Sequence, residues 1–111
     1  MAGTHEDAQI LIQLVRWGSD MSLDEAAHEI FSDGFDPAKA TGDSASVRKV
    51  LGFGEVVGTL VKNNLLNREL VLDMWWIEGM WGRVGPAAKG MREKAGEPRL
   101  YENFEALAAG R

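Results

Sequence analysis

The nine residues Met74–Gly82, MWWIEGMWG, hold three of the chain's four tryptophans. Read as a helix at about 100° per residue, Trp75 and Trp76 lie about 100° apart, and Trp81 falls about 120° from Trp75 on the other side. Met74 sits behind Trp81 and Met80 behind Trp76, so apolar side chains wrap the segment, interrupted by Asp73 and Glu78. A helix that is apolar nearly all round has to be covered on most sides. In a chain of 111 residues this puts it at the centre of a helical core, with part of its surface turned to a second chain. Aromatic residues and Met are enriched at such interfaces. A core alone, a pocket for an apolar ligand lined by Trp75, Trp76 and Trp81, and insertion into a membrane surface are the competing readings. The last lacks the basic face it requires.

The rest of the chain reads as helices. Thr4, with Asp7 three residues on, opens a segment in which Ile10, Leu11, Leu14 and Trp17 recur at helical spacing, and Gly18 is expected to stop it. Ser22 and Glu25 have the spacing of a capping box ahead of Leu23, Ala26, Ala27, Ile30 and Phe31. A link of a few residues makes these two helices a hairpin. Residues 32–46, SDGFDPAKATGDSAS, carry loop chemistry. From Ser44 a longer helix runs to Lys62 or Asn63. Its face includes Gly54 and Gly58, one turn apart, each costing about 1 kcal/mol relative to Ala. Close approach of another backbone is the preferred reason for them, and a ligand pressed on that face is the rival. Asn67 caps the tryptophan helix, and Pro86 is expected to end it and begin another in first-turn position, which Gly96 stops. Pro98 precedes a last short helix using Leu100 or Tyr101, Phe104, Leu107 and Ala108. The expected architecture is all-α: a compact bundle of five or six helices, with an N-terminal helical hairpin and longer central helices. It forms one domain over 1–111, divided into an acidic hairpin at about 4–33, a loop at 32–46 and a helical core at 44–110.

Composition narrows the chemistry. There is no Cys, which removes disulfides, thiolate nucleophiles and thiol-based zinc sites. The polar, acidic start MAGTHEDAQ is unlike a secretory signal. The longest apolar run, Val50–Val61, is too short to span a bilayer and contains Glu55. The expected location is the cytoplasm, without membrane insertion. Formal net charge is −5, which argues against general attraction to nucleic acid. Residues 1–43 carry nine Asp/Glu against two Lys/Arg, and residues 44–111 carry eight against ten. That asymmetry favours association of one copy with another, a dimer first.

No motif assigns a catalytic residue, a cofactor or a metal. Asp24 and His28 share a helix face with Glu25 or Glu29 nearby, but a solvated acidic face explains them. Asp33, Asp36 and Asp43 do not have calcium-loop spacing. The four glycines of GMWGRVGPAAKG lack the Lys-Ser/Thr of a phosphate loop. Arg83, Lys89, Arg92, Lys94 and Arg99 form a modest basic cluster that a phosphate group would find attractive. Glu55 is placed on the wet side of its helix, with Arg48 and Lys62 within reach.

The segments VRKVLGFGEVVGTLVKNNLLNRELVLDMW, then Trp81, GP, MREKAGEP, Tyr101 and ENFEALA, together resemble a widespread family of small uncharacterised bacterial helical domains. The resemblance covers residues 47–109 and leaves the first 45 outside. Some members of that family carry an N-terminal membrane anchor, and no such segment is read here. The resemblance implies the fold and assigns no activity. It singles out Glu55, Trp81, Arg92, Tyr101, Asn103, Phe104 and Glu105, and implies a polar network in which Arg92 pairs with Glu55 or Glu105 while Trp81 stacks on Phe104 or Tyr101. The functional expectation is a non-enzymatic interaction or regulatory module that self-associates. The alternatives are a small-molecule sensor built on the tryptophans and the Gly54–Gly58 face, or a weak phosphate or nucleic-acid binder using Arg83, Lys89, Arg92 and Arg99.

Overall fold

Helix ends are where backbone groups lack partners, so they show best why the chain folds as it does. The structure, a computed structural model, describes residues 3–110. Among these it forms six helices: α1 (His5–Asp20), α2 (Leu23–Ile30), α3 (Ala45–Lys62), α4 (Arg68–Met74), α5 (Ile77–Ala95) and α6 (Glu102–Ala108). Three starts are capped by the local side chain. Thr4 and Asp7 make a reciprocal capping box on α1. Ser44 accepts from Val47 N at 3.2 Å, and Asn67 from Leu70 N at 3.1 Å. Asp7 also reaches across the fold, its Oδ1 accepting the backbone N–H of Asn67 at 2.8 Å. One carboxylate thus caps α1 and pins the start of α4.

The Thr4 backbone N–H and the Thr4 hydroxyl hold the Asp7 carboxyl below the usual carboxylate range against desolvation, with a lesser contribution from the Asn67 N–H. A depressed folded-state pKa contributes stability that is present above the unfolded value, near 4, and is lost as pH falls through the folded one. Glu102, lowered mainly by its hydrogen bond to Arg99, contributes with the same sign. The urea midpoint should therefore decline as pH falls from 5 towards about 2. Asp7→Asn should flatten part of that slope. A wild-type midpoint that does not move over this range would refute the assignment.

Four expectations about helix ends are corrected. Gly18 does not stop α1, which continues to Asp20. Gly18 is buried inside the helix, where an added Cβ would sit 3.2 Å from Leu23 Cδ2; its absent side chain lets α2 pack closely. Ser22 makes no capping box. It takes a left-handed conformation, φ 59°, and its side chain caps nothing, because the two-residue Met21–Ser22 link has to reverse the chain. Pro86 neither ends nor starts a helix but lies inside α5. Proline leaves the carbonyl four residues earlier, that of Gly82, without its donor. Both Pro86 and Gly82 are on the exposed side of α5, so water can take that carbonyl, while Val84, Ala87 and Ala88 opposite are buried and hold the helix in place. Finally, the tryptophan segment is not one helix. α4 ends at Met74, and Ile77 N donates to Trp75 O at 3.0 Å across Trp76, whose φ −81° and ψ 75° are those of an inverse γ-turn.

α3 is the central element. Val47, Val50, Leu51, Phe53 and Val57 along it are essentially inaccessible. α2 and α5 pack on it, and α6 shares the most extensive contact of all with it. That contact runs over Gly54 and Gly58. A Cβ at Gly58 would lie 2.6 Å from the carbonyl carbon of Asn103, and one at Gly54 would lie 2.5 Å from Cγ of Phe104. The glycine face is thus filled by the α6 backbone and the Phe104 ring. No helix among the described residues is long and apolar enough to cross a membrane.

Candidate functional site

The break at Trp75–Trp76 sends the three tryptophans to three places. Trp75 turns inward, edge-on to Phe53 at 5.2 Å between ring centroids, and Phe53 stacks on Trp17 at 5.4 Å. Trp81 packs edge-on against Phe104 at 5.1 Å. Trp76 turns outward and stacks on Phe31, with centroids 5.6 Å apart and rings 9° from parallel. Trp75, Trp76 and Trp81 therefore do not line a common pocket, and Gly54 and Gly58 are covered by α6, Gly58 at the edge of a recess that no tryptophan lines. The continuous-helix geometry behind the pocket expectation assumed 100° per residue through a point where the chain leaves the helix.

The residues named for a polar network do come together, around α6. Tyr101, the residue at its N-cap position, is left-handed, φ 61°, and offers no side-chain cap. Glu55 of α3 supplies the cap instead: its Oε1 accepts from Asn103 N and Phe104 N, each at 3.0 Å. A carboxylate at a helix N-terminus is favoured by both the free N–H groups and the dipole. Glu55 thus faces α6, not Arg48 or Lys62; Arg48 donates to Gly42 O at 2.6 Å. Asn103 Nδ2 donates to Thr59 Oγ1 at 2.9 Å. Arg92 Nε donates to Leu100 O at 2.7 Å. Its Nη2 lies 3.0 Å from Glu105 Oε1 as an ion pair without hydrogen-bond alignment, and its guanidinium lies over the Trp81 ring. Tyr101 is half-buried against the core. Glu55, Asn103 and Arg92 all find partners within the fold, so the network fastens α6 to α3 and α5.

The three arginines of the basic cluster are likewise engaged, while Lys89 and Lys94 are exposed. Arg92 is committed as described, and Arg99 is bound to Glu102 at 2.8 Å. Arg83 donates from Nε to Ile30 O at 2.6 Å and from Nη2 to Phe35 O at 3.1 Å. No group of three His, Cys, Asp or Glu among the described residues is placed to hold a metal. Glu29, from the acidic face of α2, accepts from the Ser46 hydroxyl.

Two recesses remain. The larger, of about 1110 Å³, runs between the start of α1, the 64–69 turn and α6. Three of its carboxylates are already engaged: Asp7 with Thr4 and Asn67, Glu102 with Arg99, and Glu105 with Arg92. The smaller, of about 560 Å³, is lined by Phe31, Ser32, Asp33, Phe35, Trp76, Gly79, Gly82 and Arg83. Gly79 is the seat of Trp76: a Cβ there would lie 2.5 Å from indole Cε2. The indole is therefore held in position although it is 70% exposed. The sequence places Phe31 on the apolar face of the second helix and Phe35 in the 32–46 loop, but brings neither them nor Gly79 together at a site. The available signal was a glycine three residues after a tryptophan, which leaves a ring-sized gap on a helix surface.

A family model described as a domain of unknown function, DUF4760, matches residues 4–110. The chain belongs to this family. The match takes in α1 and α2, which the residue-level resemblance left out, so the acidic hairpin is part of the DUF4760 fold. No curated protein and no solved structure matches the chain. Membership in DUF4760 accounts for the small all-helical bundle and carries no activity with it.

Proposed function

We propose that this protein is a non-enzymatic binding module that takes a small planar apolar ligand in the Trp76 recess. The observation that supports this is Trp76 itself. A large apolar ring is fixed in place by a glycine seat and by Phe31, yet 70% of it is exposed, next to Phe35 and a guanidinium. Isolated exposed apolar residues are ordinary, but a built aromatic recess with a polar group at its side has the make-up of a ligand site. Covering a ring of this size contributes about 2–3 kcal/mol. Set against the cost of association, a shallow site of this kind implies affinities on the order of 10–1000 µM. A cytoplasmic setting belongs to the same proposal, and the cysteine-free sequence is compatible with it.

The test is a titration of ¹⁵N-labelled protein with 2-naphthamide, followed at the indole N–H cross-peaks. Trp76→Phe identifies the Trp76 peak by its loss, at a cost of less than about 1 kcal/mol in stability. We expect the Trp76 peak to move with saturation and the Trp81 peak to stay in place. Movement of the Trp81 peak alone, or of none, would overturn the proposal. A second reading is association of two copies, favoured by the exposed apolar residues Leu72, Met74 and Trp76, which are close in sequence. Light scattering over a wide concentration range separates the two: a dimer that Trp76→Asp dissociates would replace the ligand reading.

A further inference from the structure

From the position of Arg83 we infer that the Trp76 recess selects planar ligands bearing a single negative charge, the chemical class of aromatic carboxylates. This rests on the recess reading above and adds the charge of its ligand.

Arg83 projects from α5 beneath the 31–35 turn. Its Nε and Nη2 hold the carbonyls of Ile30 and Phe35, with Ser32 O a further 3.5 Å contact, and its guanidinium lies 5.3 Å from the Phe35 ring centroid. All these acceptors are neutral. Among the described residues no carboxylate lies within ion-pair distance of Arg83. The cation is therefore balanced only by carbonyl dipoles, including the last one of α2, which favours a cation at that helix end. Guanidinium carries five N–H donors, and Nη1 has no protein acceptor among the described residues. Asp33 also lines the recess. It is exposed, whereas Arg83 is half-buried, so water and salt screen the carboxylate more strongly than the guanidinium. The field inside the recess is set by Arg83. A planar anion lying on Trp76 can direct its carboxylate to the free edge of the guanidinium, a charge-assisted hydrogen bond about twice as strong as a neutral one.

Three ligands of one shape test this on the wild-type chain: 2-naphthoate, 2-naphthamide and 2-naphthylmethylammonium, each titrated at low and high salt and read at the Trp76 indole peak. We expect 2-naphthoate to bind about five- to tenfold more tightly than the amide, with the gap narrowing in high salt. The ammonium compound should bind most weakly. Arg83→Gln should remove the difference between acid and amide, and the wild-type comparison stands even if that variant folds poorly. Equal binding of all three would overturn the charge inference while leaving the recess reading intact. Tightest binding by the ammonium compound would overturn it in favour of Asp33. No movement of the Trp76 peak with any of them would overturn the recess reading itself.

Discussion

Gly58→Ala should destabilise the protein by about 2–3 kcal/mol, while Gly52→Ala, earlier on the same helix, should stabilise it by about 0.5–1 kcal/mol. Alanine gains roughly 1 kcal/mol over glycine inside a helix, and this gain is common to both sites. They differ in what the new methyl meets. At Gly52 nothing lies within 4 Å, so the gain is realised. At Gly58 the methyl would fall 2.6 Å from the carbonyl carbon of Asn103 and 3.0 Å from Phe104 N. Those are backbone atoms, held by Glu55 through the N–H groups of Asn103 and Phe104. They cannot rotate aside as a side chain would, so α6 must shift and weaken its cap. Urea unfolding followed by circular dichroism gives both free energies. In thermal melts the Gly58 variant should lose roughly 10 °C or more. Equal changes at the two sites would show that the glycines serve the helix backbone alone and not the α3–α6 contact.

Phe104→Ala is expected to have the largest effect of any single substitution considered, about 3–5 kcal/mol. Phe104 is fully buried. Its ring fills the notch over Gly54 and meets the edge of Trp81. Removing it leaves a cavity bounded by rigid helices and takes an aromatic contact from Trp81. The notch also makes a specific coupling. Gly54→Ala alone should destabilise, because the new Cβ would lie 2.5 Å from Phe104 Cγ. In the Phe104→Ala background that obstruction is gone, and the same substitution should become neutral or stabilising. A double-mutant cycle measures this, with an expected coupling of about 1–3 kcal/mol. Additive effects would refute the ring-over-glycine packing.

Local signals were the legible ones. Thr4 with Asp7, Ser44, Asn67 and Gly96 act within one turn of their own positions, so residue type and spacing disclose them. The Gly54–Gly58 pair showed that something approaches α3 closely, but its occupant, α6, lies more than 40 residues away in the chain. Glu55 is the clearest illegible case. On its own helix it is a lone charge in an apolar run, and its partners are backbone N–H groups, which leave no trace in residue identity. Arg83 is similar: it read as one of several surface cations, whereas its acceptors are carbonyls at the end of α2 and in the following turn. The recess was hidden behind a single conformational choice, the turn at Trp76, in a stretch without glycine or proline at the break.

The sequence by itself determined an all-α chain, most helix spans, the apolar faces and the absence of thiol chemistry, because periodicity and composition act through short-range geometry and through the types of atom available. Only the tertiary structure decided which faces meet, where helices end against their local signals, and which tryptophan reaches solvent. Pro86 continues a helix because its exposed side can be hydrated while its buried side is packed. Trp76 turns outward onto Gly79 and Phe31, while Phe53 and Phe104 engage Trp75 and Trp81. Outcomes of that kind follow from competition among distant residues for one limited interior, and no single stretch of chain contains all the competitors.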